Sequence, residues 1–176
     1  MRPLVMNTPE RDAAILLQFN RQLLEQALEL VAAFDAPGAP AYAGYAGAHV
    51  RHVIEHYEAL LFAPLATLVD YDARSRDRAL EQSTTVARSR LLRLAQRLMD
   101  WPAIALAAPI RVQTRGGLFG EVEFSNPSTV GRELVFLASH AVHHFALLQV
   151  HCLQHGISMA ENFGRAPATV AHDLRA

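Results

Sequence analysis

The chain has 176 residues, 51% of them hydrophobic, and 16 basic residues against 17 acidic ones, so one ordinary globular domain over 1–176 is expected and no strong field recruits nucleic acid or an anionic membrane. Every basic residue is Arg, which excludes Schiff-base chemistry, a P-loop lysine and a lysine general base, because a guanidinium does not give up its proton. The one cysteine, Cys152, excludes an internal disulfide and a Cys-rich zinc site.

The N-terminal MRPLVMNTPERD turns charged before an apolar run builds up, unlike a secretory signal. No run of 18 apolar residues follows, so no membrane span and a cytoplasmic location are expected. Thr8 reads as a helix N-cap, Pro9 suits the first helical position, and Glu10 and Asp12 favour the positive end of the helix dipole. Leu16, Phe19, Leu23, Ala27, Leu30 and Phe34 then recur at steps of three and four, which predicts a first helix ending near Asp35. A second helix is expected from Tyr45 to about Tyr71, with Pro64 kinking it or splitting off its last turn, followed by a charged connection over Asp70 to Asp77. A third runs from Arg78 to Met99, with Val86, Leu91, Leu94 and Leu98 on its apolar side. Alternation around Gly116-Gly117 predicts a β-hairpin between Ile110 and Phe124. Asn126-Pro127-Ser128 is expected to launch a long fourth helix to Gly156, and Pro167 a short one in the tail. The expected fold class is all-α, a four-helix bundle with a short hairpin between the third and fourth helices.

Chemistry concentrates in the fourth helix, where Glu133 to His155 carries five of the nine histidines and lacks charged residues from Leu134 to Cys152. His140 and His144, four apart, share a helix face with Cβ atoms about 5–6 Å apart, close enough for two imidazoles to reach one ion. On the second helix His49, His52 and His56 share another face. Buried imidazoles need partners, and three nitrogens with a fourth position open form the catalytic zinc pattern. Buried hydrogen-bonded histidines are the plainer alternative. His151 lies about 10 Å along the axis from His144, too far for one ion, so His151 and His155 read as outside the site. Cys152 reads as a core side chain.

His52-Val53-Ile54-Glu55-His56 matches the short H-x-x-E-H signature of inverted zincins, with Glu55 as general base. Such peptidases also need a further carboxylate ligand and a larger cleft-forming body. A di-iron carboxylate bundle fails, because the residues three beyond Glu133 and Glu55 are Phe136 and Glu58. The Arg-rich face of the third helix has no interleaved aromatics and reads as solvated.

These residues, in this order, resemble the DinB-like (DinB/YfiT-like) superfamily of metalloenzymes. The resemblance rests on Gly47 followed by His52, on His140-Ala-Val-His143-His144, on VDYDARSRD, and on Phe163-Gly164-Arg165-Ala166-Pro167-Ala168-Thr169, which look like a bacterial branch. It implies a four-helix bundle, a homodimer, and a divalent metal held by His52, His140 and His144: zinc or nickel first, iron or manganese next. His49 and His56 are then neighbours one turn away. Some family members are thiol S-transferases that join bacillithiol, mycothiol or glutathione to a small electrophile. Two positions depart from the family pattern: its Trp at the start of the second helix is Tyr45 here, and its Arg-Gly-Gln is Phe145-Ala146-Leu147. The same metal would also serve a hydrolase of a small substrate by lowering the pKa of water, with Glu55 or His56 taking the proton in either reaction. A non-enzymatic metal- or ligand-binding dimer is the third expectation.

Overall fold

The computed structural model describes residues 9–63 and 68–175. The Thr8 cap and the Pro64 kink lie outside the described residues. The elements are α1 (Pro9–Ala33), α2 (Tyr45–Leu61), β1 (Leu68–Asp70), α3 (Arg78–Gln82), α4 (Thr84–Met99), a 3₁₀ turn (Ala103–Ala107), β2 (Pro109–Gly116), β3 (Val122–Thr129), α5 (Val130–Gln154) and α6 (Pro167–Asp173).

The architecture is mixed α/β, which corrects the expected all-α class. A three-stranded sheet in the order β1-β2-β3 joins the helices. β2 and β3 pair antiparallel from Pro109↔Thr129 to Gly116↔Val122, longer at both ends than the expected hairpin. β1 pairs parallel with β2, Val69 opposite Val112. The expected second helix therefore stops early. It ends at Leu61, and Leu68–Asp70 is a strand instead of its last turns. Three residues are too few to show a period of two, and a parallel partner more than forty residues away leaves no local trace.

Two further boundaries move for local reasons. Ser83 adopts extended backbone and its side chain accepts from the Val86 amide, so it ends α3 and caps α4 where one continuous third helix was expected. Asn126-Pro127-Ser128 belongs to β3, and Thr129, accepting from the Arg132 amide, caps α5. Pro127 sits on the sheet's outer strand, the place a residue without an N–H is tolerated.

The core lies where α1, α2, α4 and α5 meet. Leu24, Leu30, Ile54, Leu61, Leu91, Leu94, Leu134 and Phe145 are fully buried there. Tyr57 is buried among them and donates to Asn20 Oδ1 at 2.8 Å, while Asn20 donates to the Leu16 carbonyl at 2.9 Å. That pair satisfies the polar atoms a core must not leave unmatched. Gly47 lets α2 approach α3, since a Cβ there would lie 2.0 Å from the Glu81 carbonyl oxygen. Gly164, at φ +68°, turns the tail against α5 so that Phe163 stacks on Phe145 with ring centroids 5.2 Å apart. By length and composition α5 is also apolar enough to cross a bilayer; here one face of it packs against α1 and α2, while Val135, Val150 and Leu153 stay exposed.

Candidate metal centre

α2 and α5 pack side by side and present their histidines to each other. His52 Nε2 lies 2.9 Å from His140 Nε2, and His144 Nε2 lies 3.2 Å from the same atom. One ligand atom from each of His52, His140 and His144 falls within 4.8 Å of the others. An ion about 2.0–2.1 Å from each nitrogen in tetrahedral geometry separates its ligand nitrogens by about 3.3 Å. The three imidazoles therefore fit one divalent ion. Among the described residues this is the group of three or more ligating side chains able to hold a metal ion. The three residues are half-buried.

Burial is the first cause that lowers all three imidazole pKa values, with neighbouring positive centres adding to it. His144 is brought down to about 3, with His140, His49 and His143 contributing. His52 falls furthest, with His56, His144 and Arg74 contributing, and His140 is lowered in the same sense. The cluster is thus neutral near pH 7, the form that ligates a metal.

The remaining histidines take distinct places. His49 Nδ1 lies 2.7 Å from His144 Nδ1, on the side of the ring away from the convergence point. A ligating His144 would donate its Nδ1 proton to His49, fixing the ring and its tautomer. His56 donates from Nδ1 to the His52 carbonyl at 2.7 Å, which leaves Nε2 as an acceptor for Arg74 Nη1 at 2.9 Å. His143 is exposed beside His144. His151 and His155 sit further along α5, outside the group. Cys152 is buried in the core, and burial pushes its thiol pKa up.

Glu55, expected as a proton acceptor, is buried and turned toward the connection before α3. Its Oε1 accepts from Ser75 Oγ at 3.0 Å and from the Asp77 amide at 2.7 Å, and its Oε2 lies 3.8 Å from Arg74 Nε. His56 stands closer to the triad, its ring centroid 4.5 Å from that of His140.

A cavity of about 750 Å³ opens beside the cluster between the sheet and the first turns of α5. His56, Tyr71 and Phe136 line it. The same rings pack toward the triad: His56 on Tyr71 at 5.5 Å, Tyr71 on Phe136 at 5.4 Å, and Phe136 on His140 at 5.5 Å. Its polar wall is built on Glu133, buried and accepting from Tyr71 Oη at 3.0 Å, Ser128 Oγ at 2.5 Å and Arg132 Nη1 at 2.9 Å. Burial first, then Glu133, pushes the Tyr71 phenol well above its ordinary range. Sequence reasoning missed Arg74, Tyr71 and this wall, because it read Tyr71 as the end of a helix and Arg74 as part of a solvated turn. Tyr71 is the only aromatic side chain within that charged stretch, and this was the available signal.

No family model matches the chain, and no solved structure matches it significantly. The chain is similar to FK506-binding protein 5 of Rhizopus delemar, 28% identical over 108 residues. That alignment covers 61% of this chain and 28% of the fungal protein, so the chain spans little more than a quarter of the length of the curated relative it matches.

Proposed function

We propose that the protein is a DinB-like, divalent-metal-dependent enzyme that transfers a small thiol to a small electrophile, working as a homodimer with zinc or nickel as the resident ion. The observation that carries this reading is the convergence of His52, His140 and His144 from two helices on one point. Neutral imidazole donors suit borderline ions such as zinc and nickel. When bound, such an ion supplies an open position at which a thiol loses its proton at neutral pH.

The chain's own residues would do the rest. His52, His140 and His144 hold the ion, and His49 orients His144 through the contact between their Nδ1 atoms. His56, its Nδ1 committed to the His52 carbonyl, takes the released proton on Nε2 when the Arg74 guanidinium leaves that atom. Glu55 serves as a positioning residue, because its oxygens are engaged by Ser75, Asp77 and Arg74. The electrophile occupies the 750 Å³ cavity, whose apolar rings strip water from it while Glu133 and Arg132 supply polar anchors.

The test is metal analysis of protein purified without a nickel column, followed by incubation with glutathione and a haloarene. The expected result is one divalent ion per chain and S-conjugate formation that a chelator abolishes. Metal-dependent hydrolysis of a nitrophenyl ester without conjugate formation would replace the transferase reading with the hydrolase one. Protein without metal and without turnover would overturn both.

A further inference from the structure

Arg74 reaches the histidine cluster from the connection between β1 and α3, with its side chain 12% exposed. Its Nη1 donates to the Tyr71 carbonyl and to His56 Nε2, and its Nη2 lies 3.4 Å from His52 Nδ1. A guanidinium has donors and no acceptor. The His52 atom facing it must therefore present a lone pair, which puts the His52 proton on Nε2, the atom directed at His140. Ligation requires the reverse, a lone pair on Nε2 and a proton on Nδ1. With a ligating His52, two donors would face each other across the Arg74 contact. The fixed positive charge opposes a dication in the same sense.

There is also somewhere for the guanidinium to go. A cavity of about 220 Å³ is lined by Arg74 itself together with Glu55, Glu58 and Asp70. Glu58 is held there by Arg90, which leaves Glu55 and Asp70 to receive a cation released from the histidines.

The geometry points to Arg74 as a residue that sets metal affinity: it competes with the divalent ion for His52, and the ion binds fully only as the guanidinium leaves Nδ1 for the acidic cavity. This rests on the reading of the triad as a metal site. Arg74 acts through His52 and His56 and is a positioning residue, so the test reads binding and not turnover.

The experiment is a competitive titration of the metal-free full chain with zinc against a chromophoric chelator. Arg74→Met, which keeps the stem and removes charge and donors, is expected to bind zinc at least about tenfold tighter than wild type. Because Arg74→Met leaves the buried Glu55 carboxylate without its cation, the Glu55→Gln/Arg74→Met pair is compared with Glu55→Gln alone, and the same gain is expected. In the wild type, one equivalent of zinc should also shift the Arg74 Nε–H resonance. Equal or weaker zinc binding in both Arg74 variants, or an unmoved Arg74 signal at saturation, overturns the inference. His52→Ala separates the two levels. If it binds zinc as tightly as wild type, the triad reading fails and takes this one with it. If it loses zinc while Arg74→Met gains nothing, the Arg74 inference alone is lost.

Discussion

α5 carries two histidine pairs of identical spacing, and they have different fates. His140 and His144 meet His52 and His49 from α2, and their Nε2 atoms come within 3.2 Å of each other. Two turns on, His155 donates from Nδ1 to the His151 carbonyl at 2.8 Å, a bond within its own helix. His151 faces rings, with Tyr45 at 4.9 Å and Phe34 at 6.4 Å. The i, i+4 spacing supplies two ligands on one face. A site forms only where the facing helix supplies the third.

The largest effect should come from cutting the first pair's advantage at its source. Single replacement of His52, His140 or His144 by Ala should weaken zinc binding by more than about a hundredfold, since losing even an outer hydrogen-bond partner of a ligand typically costs about 10–100-fold. Isothermal titration of the metal-free chain measures this, and near-wild-type affinity in any of the three would erase the distinction between the pairs.

His49 tests the distinction more finely, because it touches the ion only through His144. His49→Phe keeps an aromatic ring against Tyr45 and removes the Nδ1 partner, so zinc affinity should fall about tenfold. An unchanged affinity would mean that His144 is held by packing alone.

Acid should also act on the inner cluster. Burial lowers the pKa of His52, His140 and His144, with His144 at about 3 and His56 at about 4. Their neutral forms are favoured by the fold, so the unfolded chain binds more protons below its ordinary imidazole pKa of about 6.5. This contribution to stability is fully present above about pH 6.5 and declines as pH falls from there toward the folded values. The melting temperature of the metal-free chain should drop between pH 7 and pH 4, and His144→Phe should flatten the slope. A slope unaffected by that change would remove the cluster as its cause.

The smallest effect is expected at the outer pair. His151→Ala and His155→Ala should leave zinc affinity unchanged, and His155→Ala should alter unfolding free energy by no more than about 0.5 kcal/mol, as for an ordinary surface change. Loss of zinc in either variant would extend the site along α5.

Much of this was legible in the residues. The starts of α1, α2 and α5 are close to those expected, and the histidine faces of α2 and α5 mark the site, from which the DinB-like resemblance picks out His52, His140 and His144. What was not legible depends on distant or very short signals. β1 is three residues long and is a strand only because β2 lies beside it. Ser83 breaks the third helix with a hydroxyl bonded three residues ahead, within a stretch whose apolar side runs on. Arg74 sits in a dense run of mixed charge that reads as a wet turn, yet the buried Glu55 carboxylate draws it inward. A side chain recruited by a partner nineteen residues earlier leaves no pattern of its own.

The Glu55 tether has a consequence in time. The segment between β1 and α3 is fastened at successive points: Asp70 Oδ1 accepts the Asp72 and Ala73 amides, Glu55 accepts Ser75 and Asp77, and the Asp77 side chain caps α3. An untethered surface loop samples its conformations in nanoseconds to microseconds. A loop whose amide and hydroxyl donors are clamped by a buried carboxylate opens instead as a local unfolding event, in microseconds to seconds. Opening of this segment is therefore paced by how often Glu55 lets go.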